Sequence, residues 1–205
     1  MSNIGFFGGT FNPPHLAHKR LALQMKEEAA LDKILVVPTF VPPHKAAPSL
    51  APGEDRLTMC RLMFREDIFF VSDMELRRKG KSYSFDTLCE LKKISPDDRL
   101  FMIIGSDMLL SFHEWYRYRD ILKLVTLCAA SRDGKEGVRK LSEYASHTLG
   151  LDSRKGEIIL SELPPVELSS TEIRSLLADG ESAEDYLGKD VSDYIKKRNL
   201  YHECS

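Results

Sequence analysis

Ile4-Gly5-Phe6-Phe7-Gly8-Gly9-Thr10-Phe11-Asn12-Pro13-Pro14-His15-Leu16-Ala17-His18 is the stretch on which the reading of this chain turns. Residues 4–7 make a short apolar run of the size of a buried strand, and Gly8-Gly9 ends it in a tight turn. Pro13-Pro14 closes the loop. Over residues 15–30, Leu16, Leu21, Leu23, Met25 and Ala29 are separated by charged residues in a helical pattern. Paired glycines let a backbone approach an anion closely with its N–H groups outward. The helix that follows presents its positive end to the same region. His15 and His18 are three residues apart, share one face of the first turn and can both donate to phosphate oxygens. A Gly-Gly turn alone could simply join strand to helix. Two His at this spacing could also ligate a metal, but the sequence offers no obvious third ligand nearby.

Outward from this stretch, apolar strand-sized runs recur at 33–37, 68–71, 100–104, 125–130 and 157–160. Helical patterns fall between and after them at 54–65, 84–93, 115–122, 138–149, 169–178 and 191–198. Ser84 reads as the cap of one helix, and Ser169 or Ser170 as the cap of another. The alternation predicts an α/β fold: a doubly wound, mostly parallel sheet with helices on both faces. Residues 1–205 read as a single domain whose last part, from about residue 169, is a small helical subdomain. Ligands in such sheets bind outside the carboxyl ends of the strands. The loops after the first, second and fifth strands are therefore the places to look for chemistry. The segment 38–53 is long enough to carry function.

A chain of 205 residues, 42% hydrophobic and 29% charged, is ordinary for a soluble globular protein. Its formal charge of −2 gives no general attraction to nucleic acid or to an anionic membrane, so any phosphate binding must be local. Cys60, Cys89, Cys128 and Cys204 are scattered, with no C-x-x-C pair, which predicts reduced thiols rather than a disulfide framework or a zinc site. The N-terminal residues lack the basic flank and apolar core of a signal peptide. The greasiest runs, 100–104 and 124–130, fall far below the roughly 20 residues that cross a bilayer. A cytoplasmic protein is expected, without nucleic-acid or membrane partners. The sequence is equally compatible with a monomer and a homo-oligomer.

Residues 8–18 resemble the H-x-G-H signature of the nucleotidylyltransferase superfamily. Within it they look most like the nicotinate-nucleotide adenylyltransferases, whose loop reads G-G-T-F-D-P-x-H-x-G-H. Asn12 stands for the usual Asp and Ala17 for the usual Gly; Asn keeps the turn-capping chemistry and Ala the small volume. Four further segments follow in family order. Pro42-Pro43-His44-Lys45 is similar to P-P-H-K, and Ser82-Tyr83-Ser84-Phe85-Asp86-Thr87-Leu88 to S-Y-T-x-D-T-L. Gly105-Ser106-Asp107, Phe112, Trp115 and Ile121-Leu122 are similar to G-x-D…F…W…I-L, and Leu168-Ser169-Ser170-Thr171-Glu172-Ile173-Arg174 to I-S-S-T-x-I-R. Ser131-Arg132-Asp133-Gly134 lacks the Pro of the family's S-R-P-G.

The resemblance implies a Rossmann-like fold and transfer of AMP from ATP to nicotinate mononucleotide. It implies His15, His18 and Arg174 as catalytic groups. It puts ATP against Gly8, Gly9, Thr10, Phe11, His15, His18, Gly105, Asp107, Ser131, Ser170, Thr171 and Arg174. It puts the mononucleotide against His44, Lys45, Ser84, Phe85, Asp107, Trp115 and Tyr116. Mg²⁺ would arrive on the ATP phosphates, held mostly through water with few protein ligands. Read without the family, several of these residues have plainer roles. Trp115 and Tyr116 can be core beside Phe112, Ser84 a cap, and Ser169 with Glu172 a capping box. The run Arg77-Arg78-Lys79-Gly80-Lys81 reads as a solvated turn. Three other readings stay open: the same chemistry on nicotinamide mononucleotide, a phosphopantetheine or cytidylyl transferase, and a catalytically silent nucleotide-binding regulator.

Overall fold

A computed structural model describes residues 1–41, 50–131, 133–162 and 169–201. Its six strands are β1 (Asn3–Gly9), β2 (Lys33–Pro38), β3 (Phe69–Val71), β4 (Arg99–Gly105), β5 (Val125–Ser131) and β6 (Ile158–Glu162), in the sheet order β3-β2-β1-β4-β5-β6. This is the doubly wound order of the Rossmann fold, with the chain reversing its direction of travel between β1 and β4. β1 pairs parallel with β4 from Asn3 opposite Arg99 to Phe6 opposite Met102; β5 pairs parallel with both β4 and β6. β4 reads as an unbroken apolar run because Leu100, Phe101, Met102, Ile103 and Ile104 are all buried, as expected of a strand covered on both faces.

The helices are α1 (Leu16–Glu28), α2 (Gly53–Met63), α3 (Met74–Arg78), α4 (Ser84–Ile94), α5 (Ser106–Leu110), α6 (Tyr118–Leu122), α7 (Gly134–Tyr144), α8 (Ser170–Ala178), α9 (Glu184–Leu187) and α10 (Lys189–Arg198). Among the described residues, none is long and apolar enough to cross a membrane. The chain divides into two compact units. The first comprises Met1–Gly8, Leu21–Leu35 and Tyr83–Pro165; the second comprises Gly9–Arg20, Val36–Ser82 and Val166–Ser205.

In the first unit, Leu21, Ala22, Met25 and Ala29 of α1 and its exit are buried at helical spacing. Three details depart from the pattern-based expectation. Ser84 does not cap α4. Tyr83 does, with extended backbone (φ −94°, ψ 128°), and its carbonyl receives the Asp86 and Thr87 N–H groups, so Ser84 is the first helical residue. The helix expected over 115–122 starts only at Tyr118, because Arg117 is left-handed (φ 55°) and separates α6 from a 3₁₀ turn at Phe112–Glu114. α7 begins at Gly134 rather than 138 and ends in a π turn over Ala145–Leu149.

In the second unit, α3 takes in Arg77 and Arg78, the first two residues of the run expected as a solvated turn. Met74, Glu75 and Leu76 are buried, which gives that short segment a reason to coil, and the turn proper is confined to Lys79 and Gly80 (φ 58° and 76°). α2 and α10 are joined through Asp55, a buried carboxylate that accepts from the Tyr194 hydroxyl at 2.7 Å and Arg198 Nε at 3.0 Å. Paired in this way, the charge is tolerated inside.

Candidate active site

The second unit holds the loop Thr10–Pro13 and the start of α1. Its oxygens are bound one after another. The Thr10 carbonyl accepts from Arg56 Nη1 at 2.8 Å, the Asn12 carbonyl from Arg174 Nη1 at 2.8 Å, and the Pro13 carbonyl from Ser170 Oγ at 3.0 Å. Asn12 Oδ1 accepts from the Ala51 N–H at 3.0 Å and from the Tyr201 hydroxyl at 2.8 Å. Carbonyls engaged by cations and hydroxyls do not face an incoming anion as bare negative dipoles. Phe11 is only 2% exposed and left-handed (φ 47°), a costly conformation for a bulky side chain. Its ring is wedged edge-on against His18 at 5.2 Å and Phe64 at 6.0 Å. Gly9, just before this loop, ties to the second strand's exit, its carbonyl accepting from Thr39 N–H at 2.9 Å.

His15 is buried and His18 half-buried, with ring centroids 3.8 Å apart. The His15 carbonyl accepts from His18 N–H at 2.9 Å, while the His15 N–H donates to His18 Nδ1 at 3.2 Å. This is one half of a capping box, the side chain three residues on reaching back to the N-cap N–H, with an imidazole in place of the usual Glu or Gln. Because Nδ1 is an acceptor here, neutral His18 carries its proton on Nε2.

At α8, the sequence left two candidates for the cap, and Ser169 takes the position. Its Oγ accepts from Glu172 N–H at 3.3 Å, and Glu172 Oε2 accepts from Ser169 N–H at 2.7 Å. That frees the Ser170 hydroxyl for the Pro13 carbonyl. Arg174 reaches back one turn to the Ser170 carbonyl at 3.1 Å as well as to Asn12. Thr171 is exposed at the helix start, within 3.4 Å of Arg174 Nη2.

Arg56 was not singled out by the sequence reading. It is 1% exposed and donates to three main-chain carbonyls: Ala51 at 3.0 Å, Thr10 at 2.8 Å and Phe40 at 3.1 Å. Burial pushes its guanidinium below its ordinary value. The signal was present in the pattern. Arg56, Met59, Cys60 and Met63 lie on one helical face of α2, where the other three are buried apolar residues. A cation on an apolar stripe needs buried acceptors.

In the first unit, Ser84, Phe85 and Tyr116 come together. The Tyr116 ring lies 4.6 Å from Tyr83 and 6.4 Å from Phe85, and the Arg117 guanidinium stacks 3.9 Å over the Phe85 ring. Ser84 and Phe85 are the first two residues of α4, whose N–H groups have no partner within the helix. Trp115 is half-buried, tilted on Phe112 at 5.1 Å, so it has a core side without being wholly core. Gly105 ends β4 and precedes α5, and exposed Asp107 is the second residue of α5. Gly8, at the end of β1, has no room for a side chain: an added Cβ would stand 2.8 Å from Phe6 Cζ. Ser131 is buried, and its hydroxyl accepts from Asp133 N–H at 3.1 Å, holding the turn after β5. His44, Lys45 and Arg132 lie outside the described residues.

Residues 6–176 match the family described as cytidylyltransferase-like. A Listeria innocua protein named "Probable nicotinate-nucleotide adenylyltransferase" is 37% identical over 97% of this chain and 96% of its own length. A protein of the same name from Shouchella clausii is 38% identical over 98% of this chain and 97% of its own. The chain belongs to the nicotinate-nucleotide adenylyltransferase family. A protein of the same name from Geobacter sulfurreducens is 38% identical over 96% of this chain and 97% of its own. A solved structure of this class, the Plasmodium falciparum nicotinic acid mononucleotide adenylyltransferase complexed with NaAD, superposes with a TM-score of 0.75. It covers 98% of both chains at 21% identity, which speaks for the shared fold.

Proposed function

We propose that this chain transfers the adenylyl group of ATP to nicotinate mononucleotide, giving nicotinate adenine dinucleotide and pyrophosphate in NAD biosynthesis. The observation that carries the reading is the His15–His18 pair at the start of α1, directly after the loop Thr10–Pro13 that Arg174 binds at Asn12, in a chain of this family. The attacking group is the mononucleotide 5′-phosphate, already an anion, so no side-chain nucleophile is needed. One of its oxygens bonds to the α-phosphorus of ATP as the bond to the bridging α–β oxygen breaks, and the electron pair leaves with pyrophosphate. Catalysis then consists of aligning two anions and neutralising the charge that moves onto the leaving group.

His18 Nε2–H is assigned to that migrating charge, with His15 as its close partner on the α-phosphate side. Ser170, Thr171 and Arg174 take the pyrophosphate at the positive end of α8. Gly8, Gly9, Thr10 and Phe11 cradle the ATP phosphates, and Gly105 and Asp107 take a ribose. Among the described residues, no group of three or more His, Cys, Asp or Glu could hold a metal ion. In this reading Mg²⁺ arrives on the ATP phosphates, held mostly through water. For the mononucleotide, the α4 N–H groups of Ser84 and Phe85 suit the pyridine carboxylate, and Trp115 and Tyr116 suit the ring. His44 and Lys45 are assigned to its phosphate by the family pattern alone. The enzyme acts in the cytoplasm on small molecules, with no nucleic acid or membrane involved.

Pyrophosphate release with ATP plus nicotinate mononucleotide, beside ATP plus nicotinamide mononucleotide, tests this directly. Release with nicotinate as the far better substrate is the expected result. No release with either would leave only a nucleotide-binding protein.

A further inference from the structure

We propose that Tyr201 is a positioning residue for adenylyl transfer: through Asn12 it holds the loop carbonyl that anchors Arg174. The inference rests on the reading of Arg174 as a pyrophosphate-binding group. It adds a residue near the end of the chain that no motif of the sequence points to.

Asn12 has two oxygens, and both are in use. Its side-chain Oδ1 accepts from the Ala51 N–H at 3.0 Å and the Tyr201 hydroxyl at 2.8 Å, which fills its two lone pairs. Its main-chain oxygen accepts from Arg174 Nη1 at 2.8 Å. Only 5% of Asn12 is exposed, so water does not readily replace a missing donor. The two oxygens belong to one short residue, so releasing the side chain frees its rotation and the adjoining peptide. The Arg174 anchor then loosens with it. Ser170, bonded to the next carbonyl along, shares that support.

Tyr201 is itself held in place. Asn199 and Tyr201 are left-handed (φ 50° and 66°), an unfavourable state for a tyrosine that persists only where surroundings impose it. The preceding helix α10 is pinned to α2 through Tyr194 and Arg198 on Asp55. Burial pushes the Tyr201 phenol above its ordinary value, so it remains a proton donor, and Arg56, Arg174 and Asp55 are charged groups near it. Arg56 in turn binds the Thr10 carbonyl of the same loop. Tyr201 thus completes, with Arg56 and Arg174, the set of donors that fixes the loop.

Tyr201→Phe removes one oxygen atom and leaves the ring. It is expected to lower kcat roughly tenfold, the scale of a small misplacement of a charge-neutralising group. The KM for nicotinate mononucleotide stays within about twofold of the wild type, because that substrate is assigned to other residues. The melting midpoint should fall by no more than about 4 °C, the equivalent of one buried hydrogen bond in a chain of this size. Asn12→Ala removes the same bond from the other side. The double variant should lose no more activity than Asn12→Ala alone, as residues acting in one unit do. A Tyr201→Phe enzyme with wild-type kcat overturns the proposal, as do multiplicative losses in the double variant. If Tyr201→Phe does not fold, the comparison moves to Asn12→Ala with Asn12→Ala/Arg174→Lys, where multiplicative losses again overturn it. A wild-type protein that releases no pyrophosphate would instead refute the adenylyl-transfer reading.

Discussion

The His15 main-chain N–H donates to His18 Nδ1 at 3.2 Å, and this bond fixes both the imidazole's orientation and its tautomer. In the proposed mechanism it turns a helix-capping contact into a preparation for chemistry, since neutral His18 then carries its proton on Nε2. His18→Ala should therefore have two separable effects. Turnover should fall by roughly 10²-fold or more, the scale for loss of one donor to developing charge. Stability should fall by only about 1 kcal/mol, the usual value of a cap. Steady-state kinetics beside a denaturant titration measures both. A loss of turnover below about tenfold would reduce His18 to a capping residue.

Arg56 makes the opposite prediction, with stability leading. Arg56→Met fills similar volume but leaves the Ala51, Thr10 and Phe40 carbonyls without their donor. Unsatisfied buried acceptors cost about 1–3 kcal/mol each, so a loss of roughly 3 kcal/mol or more is expected. In a chain of this length that lowers the melting midpoint by about 6–12 °C. Arg56→Lys should recover little, since one ammonium cannot span three carbonyls held by a planar fork. A melting midpoint within about 2 °C of the wild type for Arg56→Met would show that water replaces the guanidinium.

These two residues mark the boundary of what the sequence discloses. His18 lies three residues from its partner, within a strand–turn–helix that pattern and composition alone suggest. Ser169 and Glu172 are likewise a local pair, and their box forms as the spacing says. The order of strands and helices is legible because hydrophobic period reports burial directly. Arg56, Tyr201 and Arg117 are different. Tyr201 finds its acceptor 189 positions away, and Arg56 joins the Thr10 loop to both ends of the segment between β2 and α2. Arg117 interrupts an otherwise helical pattern by adopting a left-handed backbone that no residue-type preference signals. Such partners are chosen by the tertiary fold, and no local period records them.

Trp115 has one side on Phe112, and its half-buried state leaves surface for a ligand ring. Trp115→Ala is expected to raise the KM for the mononucleotide much more than the KM for ATP. Stacking of an aromatic ring is worth about 0.5–1.5 kcal/mol beyond area burial, so a several-fold effect is the minimum. Equal effects on both substrates, together with a lower melting temperature, would identify Trp115 as packing only.

The cysteines respond to burial rather than to function. Cys60 and Cys128 are buried, and burial pushes the Cys128 thiol up to about 12. At pH 8 the thiolate, which is the reacting species, is then present at only about one part in 10⁴. Among the described cysteines, alkylation of the native protein should spare Cys60 and Cys128 and reach half-buried Cys89. Modification of Cys128 at the rate of Cys89 would mean that the strand β5 opens readily in solution.

Substrate choice is the sharpest test, because the start of α4 supports a substitution that isolates a single N–H group. Ser84 is the first helical residue and Tyr83 before it is extended. A proline fits at such a position without strain, since it has no N–H and tolerates only an extended predecessor. Ser84→Pro therefore deletes one proposed carboxylate donor while keeping the helix. Phe85→Pro deletes the next, but it also removes the ring on which Arg117 stacks and places a helical residue before the proline. Phe85→Ala is its control for the ring alone. A carboxylate gains from these donors and from the positive helix end, whereas a carboxamide must set its NH₂ against them. The wild type should favour nicotinate over nicotinamide mononucleotide by about 3 kcal/mol, or 10²-fold in kcat/KM. Ser84→Ala, which keeps the N–H, should leave that ratio nearly intact; Ser84→Pro should reduce it about tenfold or more, chiefly by slowing nicotinate. If Ser84→Pro and Ser84→Ala gave the same ratio, the carboxylate would have to be recognised elsewhere, and the adenylyl-transfer assignment would stand without this account of its selectivity.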